Sequence, residues 1–314
     1  MTVPTLNYVS CSEPAASHRM AYWLWGAPDA PHLVVCVHGL SRQGRDFDTL
    51  AAALVERSPT PLRIACPDVP GRGRSDWLID PMAYTVPTYV GDMLHMLAQL
   101  HAAAPVTTLD WIGTSMGGLI GMAIAGTAAM PLPTPVRRLV LNDVGPNIQW
   151  PALQRIGTYL GNTGRFESVQ QAADAMLQIS QGFGPHTPQQ WLALSQAMVR
   201  TLAGGGFTLH YDPAIAVPFR ALTEPVALAG QGALWQLYDA IRAHTLLLRG
   251  AQSDLLSPET ALDMTRRGPR AQLVEFEGVG HAPTLIAQDQ VEAVASFLLA
   301  PASVADEKPY SGTG

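Results

Sequence analysis

Short runs of branched aliphatic residues alternate with helical spacings through the first half of the chain. The runs Leu33–Val37, Leu62–Cys66, Leu109–Ile112 and Leu139–Leu141 are rich in Val, Ile and Leu and too short for helices, so they read as strands buried on both faces. Between them, Val90, Met93, Leu94 and Leu97 fall at the i, i+3, i+4, i+7 spacing of an amphipathic helix. This alternation predicts an α/β fold with a mostly parallel sheet covered by helices. After Leu141 the pattern changes. From about Pro146 to about Ala240 no strand-like run of comparable strength occurs, and Leu153, Leu160, Met176, Trp191 and Met198 recur at helical spacing, which predicts a helical insertion. The alternation then resumes with a strand at Thr245–Leu248, a helix near Pro258–Thr265 and a strand at Leu273–Phe276. A last helix places Val291, Val294, Ala295 and Leu298 on one face. The expected plan is a core of residues 1–145 and 241–300, an insertion of residues 146–240, and a polar tail, 301–314, that is flexible and without function.

Composition narrows the function. The 314 residues are 47% hydrophobic and 14% charged, and the formal net charge is −6 with no basic run; a folded enzyme-sized protein fits, and an electrostatic nucleic-acid binder or a polybasic membrane patch does not. The three cysteines form no C-x-x-C pair and no Cys/His cluster, so neither a disulfide framework nor a metal centre is expected, and no cofactor is implied. The N-terminal segment lacks a basic n-region and an apolar h-region, making a cytoplasmic setting the default. Trp111–Met130 holds twenty residues without a charge, with Gly117 and Gly121 at G-x-x-x-G spacing. Its glycine content makes it too weakly hydrophobic for a membrane span, and it reads as a buried strand, a turn and a buried helix.

That turn is Gly113-Thr114-Ser115-Met116-Gly117, a pattern that between a strand and a helix forms a nucleophile elbow. The turn is so tight that the serine needs a positive φ and its neighbours at two positions on either side must be small. A serine hydroxyl needs a base, and His281, in Gly280-His281-Ala282-Pro283 just past the strand Leu273–Phe276, is placed to supply it. His18, His95, His101, His186 and His244 have no such setting and read as solvated histidines. The imidazole in turn needs a carboxylate. Asp254 and Asp143 both follow strands, where sites of open α/β sheets lie. Asp254 is the expected acid because its loop and that of His281 are consecutive in the order Ser, Asp, His; Asp143 is the alternative, and otherwise caps a turn before Gly145-Pro146. The backbone N–H groups of Met116 and Leu40 are the expected oxyanion donors, with His38 as a loop anchor. Gly71-Arg72-Gly73-Arg74-Ser75-Asp76 lacks the strand and helix of a phosphate-binding loop and reads as a glycine-rich turn.

Taken together, His38-Gly39-Leu40, Pro67 to Asp76, the elbow at Ser115, Asp254 and Gly280-His281 resemble an α/β-hydrolase-fold enzyme, over roughly Thr5 to Ala300. The resemblance implies an eight-stranded, mostly parallel sheet with residues 146–240 as a helical cap inserted after strand 6. It also implies esterase, lactonase, thioesterase, perhydrolase or carbon–carbon hydrolase chemistry. Members that use an elbow aspartate, the haloalkane dehalogenases and epoxide hydrolases, are excluded by Ser115. The charges of the insertion are nearly balanced, and Trp150, Trp191, Phe207, Tyr211, Phe219 and Trp235 are available to an apolar pocket, with His210 and Tyr211 as its candidate polar residues. The expected activity is that of a serine hydrolase cleaving a small, largely apolar carboxylic ester through an acyl-enzyme. A carbon–carbon hydrolase or lactonase on the same triad is the alternative, and a non-catalytic ligand-binding protein the alternative of another class. The expected partner is a small-molecule substrate, with a homodimer left open.

Overall fold

The computed structural model describes residues 3–12 and 17–301. An antiparallel hairpin, β1 (Thr5–Ser12) and β2 (Ser17–Gly26), comes first. Alternating elements follow: β3 (His32–Val37), α1 (Asp48–Arg57), β4 (Leu62–Asp68), α2 (Val86–Ala103), β5 (Thr108–Thr114), α3 (Met116–Gly126) and β6 (Val136–Asn142). The segment after β6 carries α4 (Trp150–Tyr159), α5 (Val169–Ile179), α6 (Pro188–Gln196), the short strands β7 (Val199–Thr201) and β8 (Phe207–Leu209), α7 (Ala216–Ala221) and α8 (Glu224–Ala240). The chain then returns through β9 (His244–Gly250), α9 (Pro258–Met264), β10 (Gln272–Phe276) and α10 (Gln288–Leu299).

Eight strands form one sheet in the order β1-β2-β4-β3-β5-β6-β9-β10. In it β2 is antiparallel to both its neighbours and the remaining pairs are parallel. The period of two along each central strand divides the core. Leu33, Val35 and Val37 of β3, Trp111 of β5 and Leu139 and Leu141 of β6 pack on one face, with Met93, Leu97 and Ile120. Val34 and Cys36, Ile112, and Val140 pack on the other, with Leu50 and Leu54 of α1 and Val294 and Leu298 of α10. Both faces are therefore dry at the centre of the sheet, which is why these strands are nearly continuous apolar runs.

Two features depart from the sequence pattern. The insertion is not purely helical, because β7 and β8 pair as an antiparallel ribbon. The hairpin β1–β2 also went unread: polar residues break up β1, whereas β2 carries the apolar run Met20–Trp25, a strand signal that was not taken up. The uncharged stretch Trp111–Met130, read as a buried strand, a turn and a buried helix, lies mainly in β5, the turn and α3, and among the described residues no helix is long and apolar enough to cross a membrane. Of the tail, 302–314 lie outside the described residues.

Candidate active site

At the carboxyl end of β5 the backbone turns within one residue. Ser115 takes φ +52°, ψ −115° between β5 and α3, a strained left-handed conformation held by its surroundings. A Cβ on Gly113 would meet the Gly117 carbonyl oxygen at 2.2 Å, and one on Gly117 would meet that of Val37 at 2.0 Å, so both glycines are obligatory for the approach of α3 to the sheet. The Ser115 N–H donates to the Asn142 carbonyl at 2.9 Å, tying the turn to the neighbouring strand.

His281 Nε2 lies 3.0 Å from Ser115 Oγ, and its Nδ1 lies 2.7 Å from Asp143 Oδ2. Asp143, not Asp254, therefore meets the imidazole, and the expected assignment is corrected. The reason is the sheet order: β6 adjoins β5, so the residue after it stands beside Ser115, whereas β9 is one strand further out. Asp143 is wholly buried, at φ +57°. Its carboxylate also accepts from the Gly250 N–H at 2.9 Å and from Ser253 Oγ at 2.6 Å, which fixes its orientation. Asp254 instead faces the insertion, where Arg155 of α4 donates to it twice, at 2.6 and 2.9 Å. Burial opposes its charge, but the Arg155 hydrogen bonds and charge outweigh that and hold its carboxyl below the usual value.

The Met116 N–H begins α3 and the Leu40 N–H lies in the loop after β3; among the described hydrogen bonds neither is used, as expected of unpaired donors at a helix start and a loop. His38 is wholly buried, its Nδ1 2.7 Å from the Gly39 carbonyl and its Nε2 accepting from the Val69 N–H at 2.9 Å. Burial, with Arg72 and Arg42 nearby, pushes it down to about 3, so its neutral ring anchors the loop.

Two residues that the sequence reading passed over support this arrangement. Arg72, in the glycine-rich turn, is wholly buried and donates to the Leu40 carbonyl at 2.8 Å, to the Pro70 carbonyl at 2.6 Å and to Tyr89 Oη at 2.9 Å. Asn142 Nδ2 donates to Thr114 Oγ1 at 3.0 Å and to the Pro283 carbonyl at 2.8 Å, joining the elbow to the histidine loop. A polar residue closing an otherwise apolar strand was the one signal for Asn142.

Ser115 opens onto two cavities. The larger, about 530 Å³, runs between the core residues Tyr84, Leu119 and Val144 and the insertion residues Ile215, Phe219 and Leu234. The smaller, about 100 Å³, is lined by His281, Arg42, Arg155, Tyr159 and Tyr211 among others; the two share Leu40, Ser115 and Ile156 as walls. Of the expected pocket residues, Tyr211 reaches the small cavity, but His210 lies in a separate depression with Arg74 and Arg200. Burial and those arginines lower His210 to about 4. Phe219 lines the large cavity, while Trp191 is a packing residue that donates to the Ala173 carbonyl. His18, expected in solvent, is buried with its Nε2 3.1 Å from Asp92.

A hydroxyl, an imidazole and a buried carboxylate in this order can move the serine proton to the ring and return it to a departing group. The sequence is matched over residues 34–297 by the model of the alpha/beta hydrolase family. It is 48% identical over 297 residues to a 3-hydroxybutyrate-oligomer hydrolase of Cupriavidus necator, covering 94% of this chain and 97% of that one. A pimeloyl-[acyl-carrier protein] methyl ester esterase of Xanthomonas campestris is 26% identical, over 85% of this chain and 95% of its own. The crystal structure of an alpha/beta hydrolase from Novosphingobium aromaticivorans superposes with a TM-score of 0.80 at 34% identity, covering 95% of this chain and 99% of that one.

Proposed function

The chain belongs to the alpha/beta hydrolase family and is an ester-cleaving hydrolase, and from that premise we propose that it cleaves short linear oligoesters of a small hydroxy acid by a Ser115–His281–Asp143 triad. The observation that carries the mechanism is the relay of 3.0 and 2.7 Å from hydroxyl to imidazole to buried carboxylate. Ser115 Oγ attacks the ester carbon as His281 Nε2 takes its proton, and Asp143 stabilises the imidazolium. The N–H groups of Leu40 and Met116 receive the developing oxyanion. Collapse breaks the carbon–oxygen bond, His281 returns the proton to the alkoxide, and water, activated by the same imidazole, releases the acyl group from Ser115.

The substrate class comes from the Cupriavidus relative, whose name specifies 3-hydroxybutyrate oligomers, and the large cavity suits it: among its described lining residues there is no charged side chain. Polyester units are uncharged and of moderate polarity, so they lose little on entering such a wall. Residues 146–240 serve as the cap, since Ile215, Phe219 and Leu234 roof the cavity over Ser115.

The test is hydrolysis of synthetic linear 3-hydroxybutyrate dimer, trimer and tetramer, followed by chromatography, with a p-nitrophenyl butanoate assay alongside. A fluorophosphonate probe is expected to add once, at Ser115, and Ser115→Ala to lower turnover by roughly three orders of magnitude or more. Labelling elsewhere, or an active Ser115→Ala protein, overturns the triad. Cleavage of p-nitrophenyl butanoate without cleavage of any oligomer overturns the substrate class.

A further inference from the structure

The two cavities at Ser115 differ in the chemistry of their walls, and that difference gives the substrate a direction. In the reaction just described the departing alkoxide must receive its proton from His281. His281 lines the small cavity and is not among the lining of the large one. The alcohol side of the ester therefore occupies the small cavity and the acyl side the large one. In an oligoester of a hydroxy acid the acyl side carries the free hydroxyl end, and the alcohol side carries the free carboxylate.

Charge follows the same division. No described lining residue of the large cavity is ionic, whereas the described lining of the small one includes Arg42 and Arg155 and no carboxylate. Their aspartates stand behind them. Arg42 donates to Asp46 at 2.7 Å through both Nε and Nη2, with both side chains largely buried. Arg155 uses Nε and Nη2 on Asp254, in a pair whose side chains are 40% and 47% exposed. An exposed pair of this kind is weak, so the Arg155 head can share or exchange its partner. A carboxylate placed in the large cavity would lose its hydration with nothing to replace it, so the reversed orientation of the chain is disfavoured.

Size sets how much leaves. The small cavity, about 100 Å³, has roughly a fifth of the volume of the large one, about 530 Å³, so the shorter part of the cleaved chain belongs in it. We infer that the small cavity is a leaving-group subsite in which Arg155, backed by Arg42, holds the carboxylate of the terminal unit, so that oligoesters are shortened from the carboxylate end by one hydroxy acid at a time. In each cycle the ester carbon bonds to Ser115 Oγ, the bond to the terminal unit breaks, and that unit leaves as the free hydroxy acid with the proton from His281. This rests on the oligoester reading proposed above.

The experiment compares a linear 3-hydroxybutyrate trimer with its carboxyl methyl ester, and follows the first products of the tetramer. The wild-type protein is expected to favour the free acid by about tenfold or more in kcat/KM, and to produce monomer and trimer together before any dimer. This comparison needs no variant. In Arg155→Met combined with Asp254→Asn, which leaves no unpaired acid to repel the probe, the ratio of free acid to methyl ester is expected to fall about tenfold, mostly through KM. Equal turnover of free and capped trimers, or dimer as the first product, overturns the inference while leaving the oligoester reading intact. Cleavage of p-nitrophenyl butanoate with no cleavage of either trimer overturns both.

Discussion

Replacing Asp143 by Asn tests the geometry most directly, because its expected effect can be worked out from three hydrogen bonds. The carboxylate accepts from the Gly250 N–H on Oδ1 and from His281 and Ser253 on Oδ2. An amide has one oxygen and one NH2. The Gly250 N–H is a fixed backbone donor, so the amide oxygen must take the Oδ1 place and the NH2 must face His281 Nδ1. Ser253 can turn its hydroxyl to accept; the imidazole must accept too, which puts its proton on Nε2, where it can no longer deprotonate Ser115. The loss in kcat is therefore that of a wrong tautomer, about 10⁴, with a modest loss of stability because Ser253 Oγ, which already accepts from the Leu255 and Leu256 N–H groups, loses the acceptor of its own hydrogen. Asp254→Asn breaks only a half-exposed pair with Arg155, worth about 1 kcal/mol or less, or about fivefold at most. The assay is p-nitrophenyl butanoate hydrolysis, whose uncharged substrate does not involve Arg155, with circular dichroism to establish folding. A loss at Asp254→Asn as large as that at Asp143→Asn would refute the reasoning.

Arg72→Met removes the bond to the Leu40 carbonyl together with those to Pro70 and Tyr89 that hold the guanidinium in place, and kcat is expected to fall by roughly tenfold to a hundredfold through misplacement of the donor; a change confined to KM would exclude a positioning role. Stability should fall as pH falls below about 6.5, because the unfolded chain protonates His38 at its ordinary value while burial holds the native ring at about 3. His38 alone contributes a slope of about 1.4 kcal/mol per pH unit between those limits. His210, lowered to about 4 chiefly by burial, acts in the same direction, whereas Asp68, raised by burial from 3.8 to about 6, stabilises the native state as pH falls between those two values and offsets part of the loss. Urea unfolding at pH 7, 5.5 and 4.5 checks this, and His38→Asn should flatten the slope by about one proton; an unaltered slope would contradict it.

The central sheet was legible because strands buried on both faces can be built only from apolar runs, and the six runs in the sequence are β3, β4, β5, β6, β9 and β10. The hairpin β1–β2 was not read: its outer strand is broken up by polar residues and leaves Leu6 and Tyr8 more than a third exposed, although the apolar run Met20–Trp25 of β2 is a signal as strong as those of the central strands. Ser115 was legible for steric reasons: a serine on a positive-φ turn leaves no room at positions 113 and 117 for anything but glycine. The carboxylate was not, since Asp143 and Asp254 both end strands, and the deciding fact is the spatial neighbour of β5, which chain order does not contain. Asp143 reads from sequence as a turn cap, and the turn at its positive φ directs the carboxylate toward His281. Arg72 escaped notice because its glycine neighbours drew the attention, while its burial follows from a loop packing that no local pattern encodes.

The division between chemistry and selectivity follows from where the charges lie. Ser115, Asp143 and His281 all lie beyond carboxyl ends of core strands; backbone groups of Asn142 and Gly250 hold the first two, while the His281 loop is also tied to the inserted segment, by the Gly280 N–H on the Gly182 carbonyl at 2.6 Å and by His186 Nε2 at 2.8 Å from Thr284 Oγ1. Arg155 belongs to α4 of that segment, and Ile215, Phe219 and Leu234 cover the apolar cavity from it. Exchange of the insertion is thus expected to alter which ester is accepted while the core keeps Ser115 and Asp143 in place. One contact between the two parts on the alcohol side is the Arg155–Asp254 pair. Under the proposed subsite, a substrate carboxylate that draws Arg155 from Asp254 would loosen that contact only while the correct end of the chain is bound, which would give Asp254 a part in substrate selection and not in proton transfer.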